Sequence, residues 1–400
     1  MITVNEADRI IAAQCKPFPA VMRPLTDCYG AVLREDILAD RDQPSFDKAL
    51  VDGIAINLGS WYGQKGTLIV EGTQAAGQPA LRLKNKEKGC IKIMTGAVVP
   101  QGCDCVVPIE MVTMIGKVAK ISGNDLKLRH YIRPQGSDCK KGTALLKAGT
   151  QLLPPHIATA ASVGKSKLKI SCRPKVAVIS NGDELVDINR KSIKPFQIRK
   201  SNSYALDAIL RQTGLCHPHI FHFPDKKSLL VRGIKNILAR FDILVLSGGV
   251  SMGEFDYIPQ VLKELGVEVL FHKVSQRPGK PFWFGKTKKG KVVFALPGNP
   301  VSTQVCAYRY VTPYLKRAAG LTVTAPHAIL ERDFTSPTDF TYFLPVKMSY
   351  NKDGSVSAFP VETGGSGDYA ALTQADGFVE LAANQKQFTK GQAVPFYPWK

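Results

Sequence analysis

The feature that most constrains the fold is an alternation of unbroken apolar segments with helix-compatible segments between residues 174 and 318. Five short runs have the length and residue types of buried strands: KVAVIS, HIFHF, DILVLS, VEVLFHKV and KVVFAL. Longer runs with helical character lie between and after them. Fully apolar strands that alternate with helices are typical of a parallel sheet covered on both faces. We therefore predict a doubly wound α/β domain over residues 174–318.

The rest of the chain predicts three further domains. Residues 46–140 consist of short apolar runs interrupted by Gly and Pro, which indicates a β-rich insert domain. An amphipathic pattern over residues 5–40 and the segment PPHIATAASVG predict helices, and therefore a discontinuous helical domain made of 1–45 plus 141–173. Strand-like patterns return after residue 320 and predict a C-terminal β-barrel-like domain over 319–400.

Composition favours a cytoplasmic protein without a membrane partner. Hydrophobic residues make up 44% of the chain, and no apolar run approaches the ~18–20 residues that a transmembrane helix needs. The N-terminus lacks a secretion signal, and the nine scattered cysteines argue against a disulfide framework.

The segment CHPHIFH, from Cys216 to His222, contains several potential metal ligands, although its period-two pattern also fits an ordinary strand.

The formal net charge of +20 favours anionic partners. Much of the excess lies in short runs such as KNKEK and KTKKGK, which are typical of a solvated surface. No zinc finger, RNP-type aromatic motif or basic heptad accompanies it, so we predict no nucleic-acid partner.

Four unusual loops follow predicted strands at their carboxyl ends. They contain Asn181-Gly182-Asp183-Glu184, Ser247-Gly248-Gly249, Arg277-Pro278-Gly279-Lys280 and Pro297-Gly298-Asn299-Pro300. Open parallel sheets bind ligands outside the carboxyl ends of their strands. A single loop of this kind could be a plain turn, whereas four at one edge predict a binding site.

The residue types in and near these loops predict a phosphate-rich ligand with a divalent cation. Glycines let backbone N–H groups approach a ligand, and helix N-termini attract phosphate. Prolines stiffen the loop at 297–300, and Pro300 can open the following helix. Full positive charges come from Lys273, Arg277 and Lys280. The hard oxygen ligands that magnesium prefers come from Glu184, Asp225 and Asp256. No G-x-x-x-x-G-K-[ST] is present and no G-x-G-x-x-G follows the first strand, which excludes a P-loop and a dinucleotide fingerprint.

Seven segments together resemble one enzyme family. They are PSFDKALVDGIAI, IKIMTGAVVPQGCDCVVPIE, GSDCKKG, SNGDEL, SGGVSMGEFDY, RPGKPF and LPGNPVS. In this order they are similar to the molybdopterin molybdenumtransferases, the MoeA family, from near the N-terminus to about residue 375. The C-terminal domain of gephyrin, which anchors receptors, is a eukaryotic relative.

The resemblance implies a reaction and an assembly. Members of this family insert molybdenum from molybdate into adenylylated molybdopterin and release AMP, with Mg²⁺ or another divalent cation. They resemble elongated homodimers of four domains, in which the helical domain dimerises and both subunits contribute to an active site at their interface. A molybdopterin adenylyltransferase is a further candidate partner.

The resemblance also assigns site residues. Catalytic roles fall on Asp52, Thr95, Asp138, Glu184, Asp225 and Asp256. Metal-binding roles fall on the last three of these, Glu184, Asp225 and Asp256. The loop residue types and the resemblance together predict cofactor-binding roles for Ser247, Gly248, Gly249, Ser251, Lys273, Arg277, Lys280, Pro297, Gly298, Asn299, Pro300 and Ser366.

Three positions depart from the family pattern. Residues 49–54 read Ala-Leu-Val-Asp-Gly-Ile, which keeps Asp52 but loses its hydroxyl-bearing neighbours. Arg277 replaces a more usual Lys, and Leu344 stands where an Arg is typical, so one anion contact is expected to be missing.

Two alternative functions remain: a scaffolding protein that keeps the fold, and an enzyme similar to the molybdopterin adenylyltransferases. The retained carboxylates favour the transferase.

Overall fold

The computed structural model describes residues 1–64, 66–123, 125–250 and 256–399. They form two compact units. The first unit comprises Met1–Glu35, Ala148–Pro154 and Lys167–Lys400, and the second comprises Asp36–Lys147 and Pro155–Ser166. The four domain boundaries expected from the sequence stay predictions.

The first unit is built around a six-stranded sheet, which we call the central sheet. Its strands lie in the order His217–Phe223, Lys175–Asn181, Ile243–Ser247, Val292–Leu296, Trp283–Thr287 and Val267–His272. The first four are mutually parallel, as predicted. Trp283–Thr287 is antiparallel to both of its neighbours and was not predicted. It forms a hairpin with Val292–Leu296 through a lysine-rich turn, whose Gly290 has the positive φ of 82° that such a turn favours.

Side chains of the central sheet alternate between two hydrophobic cores. Val176 and Val178 pack into one core, and Ala177 and Ile179 pack into the other. The first face is covered by the helices Val4–Ala13, Asn202–Thr213, Pro300–Cys306 and Thr312–Ala319, the last two joined by the π-helix Ala307–Val311. The second face is covered by Lys227–Arg240 and Ile258–Glu264. The doubly wound prediction is confirmed.

The N-terminal segment is less helical than predicted. A capping box between Thr3 and Glu6 starts the helix Val4–Ala13, in which Val4, Ala7 and Ile11 are buried. The predicted continuation to residue 40 is wrong, because the prolines at positions 17, 19 and 24 exclude a continuous helix. The chain instead forms the strand Ala20–Pro24, antiparallel to Lys167–Ser171, and the short 3₁₀ helix Leu25–Asp27.

The C-terminal region is a closed five-stranded β-barrel, as predicted. Its strands follow the order Thr341–Tyr350, Val356–Pro360, His327–Leu330, Ala393–Pro398 and Gly377–Leu381, and the last pairs with the first. The helix Tyr369–Gln374 precedes the strand Gly377–Leu381. Three short pairings complete the first unit: Gln276–Arg277 with Thr341–Tyr342, Leu185–Val186 with Ile198–Arg199, and Phe334–Thr335 with Gln387–Phe388.

The second unit is rich in β-structure, as predicted. Its six-stranded sheet has the order Cys105–Pro108, Gly53–Ile56, Gly89–Ile93, Leu68–Gln74, Val118–Ile121 and Val112–Ile115. Two short pairs join Ile37–Leu38 with Ala144–Leu146 and Lys48–Ala49 with Ile132–Arg133. The helical elements are Leu58–Gln64, the 3₁₀ turn Ile109–Met111 and Pro154–Ser162, which matches the helix predicted near residue 154. No helix in the described ranges is long and apolar enough to cross a bilayer.

Candidate active site in the first unit

The register of the central sheet brings the predicted loops to one edge. Ser180 lies opposite Ser247, and Ser247 lies opposite Leu296, so the loops that follow these strands are neighbours. On the far side of the hairpin, His272 ends its strand at the same edge. The carboxyl ends therefore converge as the sequence predicted.

Asn202 links these loops, and sequence reasoning did not find it. Its side-chain Nδ2 lies 3.0 Å from Ser247 Oγ, 2.6 Å from the Gly298 carbonyl and 3.2 Å from Thr303 Oγ1. Ser247 and Thr303 are both buried, so this amide supplies a donor where water has little access. The only sequence signal was an Asn in the first turn of a predicted helix.

The loop from Pro297 to Pro300 is held by hydrogen bonds at both ends. Thr303 Oγ1 donates to the carbonyls of Pro297 at 2.6 Å and Asn299 at 3.0 Å. Asn299 Nδ2 donates to Ser366 Oγ at 2.6 Å, and the Val301 N–H donates to the Ser366 carbonyl at 3.1 Å. Pro300 is the first residue of the following helix, as predicted. The structure thus brings Ser366, assigned from the tail of the chain, against this loop.

Six of the predicted binding residues line one cavity of about 750 Å³, which we call the rim cavity. They are Arg277, Lys280, Pro297, Gly298, Asn299 and Ser366. The other described walls are formed by residues of the barrel, including Phe340 and Tyr342, and by the glycines at 364 and 365. None of the described lining residues is Asp or Glu. A cavity with two full cations and no acid in its described walls favours an anionic ligand.

Other predicted binding residues lie outside the wall of the rim cavity. Ser247 is buried and bonded to Asn202, which makes it a support of the loop. Gly248 and Gly249 have φ of 98° and 65°, and a Cβ on Gly249 would lie 2.5 Å from Asn181 Nδ2, so only glycine fits there. Lys273 and Pro300 do not line the rim cavity either, and Ser251 lies outside the described residues.

The three predicted metal ligands are not gathered into one set. Asp225 Oδ1 accepts a hydrogen bond from Asn181 Nδ2 at 2.8 Å, and the Asp225 N–H donates to Asp183 Oδ1 at 3.1 Å. Glu184 lies exposed on the loop after Asn181. In the described parts of the chain no group of three His, Cys, Asp or Glu side chains is arranged to hold a metal ion. The assignment of Glu184, Asp225 and Asp256 as metal ligands therefore stays a prediction from the resemblance.

Two of the remaining predicted residues meet in the second unit. Asp52 Oδ1 accepts hydrogen bonds from the Thr95 N–H at 2.6 Å and from Thr95 Oγ1 at 2.7 Å. These bonds, first that of the backbone and then that of the hydroxyl, lower the pKa of the exposed Asp52 carboxyl. The adjacent Gly53 is obligatory, because a Cβ would lie 1.8 Å from the Val107 carbonyl oxygen. Asp138 instead forms an ion pair with Arg133 at 2.7 Å.

The expected loss of an anion contact at Leu344 stays a prediction, and the structure shows where this residue lies. Leu344 is buried in the core of the barrel and does not line the rim cavity. An apolar residue is what that position requires, since a charge there would lack water. Tyr342, two residues earlier on the same strand, lines the rim cavity instead.

Most of the Cys216–His222 segment belongs to the strand His217–Phe223, and Cys216 directly precedes that strand. Burial raises the pKa of the Cys216 thiol to about 12, and burial is also the main cause that lowers the pKa of His222. His222 Nδ1 lies 3.1 Å from Ser180 Oγ. An ordinary strand explains these contacts. Within the described ranges these side chains do not form a group that could hold a metal ion.

Comparison with known proteins matches this fold along the chain. Three family models fit: the MoeA N-terminal region (domain I and II) over residues 2–164, a probable molybdopterin binding domain over 177–317, and the MoeA C-terminal region (domain IV) over 327–399. A molybdopterin molybdenumtransferase of Synechocystis sp. is 37% identical over 402 residues, which cover 100% of both chains. The chain belongs to the MoeA family.

Further MoeA-family relatives support the same conclusion. A molybdopterin molybdenumtransferase of Staphylococcus aureus is 32% identical, with 98% of this chain and 94% of the relative covered. The crystal structure of a molybdopterin biosynthesis MoeA protein from Pyrococcus horikoshii superposes with a TM-score of 0.81 at 30% identity. That match covers 100% of this chain and 99% of the other. The family predicted from the seven motifs is confirmed.

Proposed function

We propose that this chain is a molybdopterin molybdenumtransferase, which moves molybdenum from molybdate to the dithiolene sulfurs of adenylylated molybdopterin and releases AMP. The observation that carries the proposal is the rim cavity, where Arg277 and Lys280 stand in a wall that has no acid among its described residues. Both substrates are anions, and relatives similar over the whole length bear this name.

The proposed roles follow from the contacts. Arg277 and Lys280 bind anionic oxygens of a substrate, and the loop from Pro297 to Asn299 presents backbone groups beside them. Asn202 Nδ2 donates a hydrogen bond to the Gly298 carbonyl and so holds that loop in place. Ser366 Oγ accepts from Asn299, so its own proton is available for a ligand. Asp52, kept ionised by Thr95, serves as an acceptor in the second unit.

Dependence on Mg²⁺ or another divalent cation is a separate proposal. Such an ion would neutralise phosphate charge during release of AMP. The proposal rests on the resemblance and on the position of Glu184 and Asp225 after neighbouring strands of the central sheet. Because the described carboxylates form no three-residue set, we derive no step through the metal.

Assembly and setting are also proposed from the family. We expect a cytoplasmic homodimer with the active site shared between subunits, without nucleic-acid or membrane partners. A molybdopterin adenylyltransferase is the proposed supplier of the adenylylated substrate, since that substrate must arrive with its phosphoanhydride intact.

The test of the main proposal is direct. The purified full chain is incubated with adenylylated molybdopterin, molybdate and Mg²⁺, and AMP and the molybdenum-bearing pterin are quantified by liquid chromatography and mass spectrometry. We expect both products to appear together and to depend on molybdate. Tight binding of the pterin with no release of AMP in the presence of divalent cations would overturn the enzyme and favour a scaffold.

A further inference from the structure

We propose that Arg129 and Asp47 form a positioning pair in the second unit, which holds residues 134–138, here called the Asp138 loop, in place for the reaction. The pair fixes this loop relative to the segment that carries Thr95. This inference deepens the proposed function and rests on it for the reaction concerned. It assigns a role to two residues that the sequence analysis left without one.

Residues 47–49 lie between two segments that carry candidate catalytic residues. On one side, the Val99 N–H donates to the Asp47 carbonyl at 2.8 Å, and Val99 follows Thr95 closely in the chain. On the other side, residues 48 and 49 pair with Ile132–Arg133, which lead directly into the Asp138 loop. Asp47 is therefore placed to connect the two segments.

The side chain of Asp47 makes this connection together with Arg129. Asp47 Oδ1 accepts a hydrogen bond from the Gln135 N–H at 2.9 Å, and Arg129 Nη2 lies 2.7 Å from the same oxygen. Burial alone would raise the pKa of the Asp47 carboxyl, but the bonds from Arg129 and Gln135 lower it, so the carboxylate stays ionised at neutral pH. Because both donors share one oxygen, Arg129 fixes the orientation in which Asp47 receives the Asp138 loop.

The far end of the Asp138 loop is held independently. The Asp138 N–H donates to the Gln43 carbonyl at 2.9 Å, so this end does not depend on Arg129. Loss of the Arg129 pair should therefore loosen the end at Gln135 without detaching the whole loop.

The backbone of Arg129 argues that its guanidinium does more than stabilise the fold. Its φ is 62°, in the left-handed region that favours glycine, so an arginine there destabilises the fold relative to glycine. The ion pair offsets little of this loss, because its side chains are 45% and 38% exposed and exposed pairs contribute little to stability. Such unfavourable backbone conformations are typical of functional sites. The side chain is thus explained by what it positions.

Arg129→Gly separates positioning from stability, because glycine keeps the backbone turn and removes only the side chain. The full chains of wild type and variant are compared by thermal unfolding, by amide hydrogen exchange, and by AMP release from adenylylated molybdopterin with molybdate and Mg²⁺. We expect an equal or higher melting temperature, and exchange of the Gln135 amide that is faster by about threefold or more. We expect the kcat for AMP release to fall about tenfold or more at an unchanged KM, because a reacting group is misplaced.

Two further variants sharpen the comparison. In Arg129→Lys the ammonium group replaces the guanidinium as the donor to Asp47, and we expect kcat to recover to within about threefold of wild type. Lys127→Ala is the matched control, since it removes an exposed ion pair with Asp125 from the same segment. It should leave the melting temperature, the exchange rate and kcat unchanged.

The outcomes separate this inference from the proposed function. Unchanged exchange of the Gln135 amide in Arg129→Gly overturns the positioning pair, whether or not the wild type releases AMP. An unchanged kcat in an active enzyme overturns it as well, and a lower melting temperature would then assign Arg129 a structural role. Faster exchange in Arg129→Gly supports the pair even if the wild type releases no AMP, and only the proposed reaction then fails.

Discussion

At the scale of single residues, the site depends on groups whose protonation the fold fixes. Asp52 is exposed, yet two short bonds from Thr95 favour its charged form. Because the folded pKa is lowered, the stability that the pair contributes is present above the unfolded pKa of Asp52. It is lost as the pH falls through the folded value.

We therefore predict that Thr95→Val raises the pKa of the Asp52 carboxyl towards its ordinary value. The substitution removes the hydroxyl donor and keeps the backbone N–H donor, so the shift should be partial. Carboxyl carbon NMR titration of the two proteins measures it. Thr113→Val, on an exposed strand of the same unit, is the control. A pKa that does not move in Thr95→Val would show that the backbone bond alone sets it.

Glu184 carries the proposed dependence on a divalent cation. The Glu184 side chain is exposed at the carboxyl edge of the central sheet, and it forms no ion pair with the described residues. We predict that Glu184→Gln keeps the melting temperature and nucleotide binding but loses most of the turnover that depends on Mg²⁺. Differential scanning calorimetry and AMP release on one preparation test this. A lower melting temperature with normal turnover would assign Glu184 a structural role.

At the scale of elements, the sequence predicted what local pattern determines. Apolar runs predicted five of the six strands of the central sheet, and the residues after these runs predicted the loops, because strand ends are marked by Gly and Pro. The strand Trp283–Thr287 was missed, since its apolar pattern stops at Gly285 and the strand is defined by pairing on both sides. Sequence reasoning also missed Tyr342 in the wall of the rim cavity, because no local pattern shows which residues of a barrel strand line a cavity.

Asn202 shows how one side chain joins elements that are distant in sequence. Its donors reach groups 45, 96 and 101 residues away, and no local pattern encodes such contacts. We predict that Asn202→Ala lowers the free energy of unfolding by about 1–3 kcal/mol, because the buried partners lose a donor. It should also weaken molybdate binding, since Gly298 lines the rim cavity.

Urea denaturation and isothermal titration measure the two effects of Asn202→Ala. Asn189→Ala, on an exposed loop, is the control and should leave both quantities unchanged. If Asn202→Ala loses stability but binds molybdate with the wild-type Kd, the amide supports the fold without positioning the loop.

At the scale of the whole molecule, the candidate residues divide between the two units. Asp52, Thr95 and Asp138 belong to the second unit, and the residues of the rim cavity belong to the first. The net charge of +20 favours anionic substrates. The described wall of the rim cavity is positively charged as well, because it contains two cationic residues and no Asp or Glu. Sequence motifs found both sets of residues, and in the proposed homodimer the two sets can come from one subunit or from both.

Complementation of activity between two inactive variants tests whether each active site takes its residues from one subunit or from two. We predict that Asp52→Asn and Lys280→Ala are each inactive as homodimers. If one subunit supplies Asp52 and its partner supplies Lys280, a mixed dimer has one site with both defects and one intact site. Refolding the two variants together in equal amounts makes half of the dimers mixed, so activity should return to about one quarter of wild type. Light scattering should show dimers throughout. Absence of AMP release from such mixtures, with mixed dimers verified by a tag on one variant, would place each site within a single subunit.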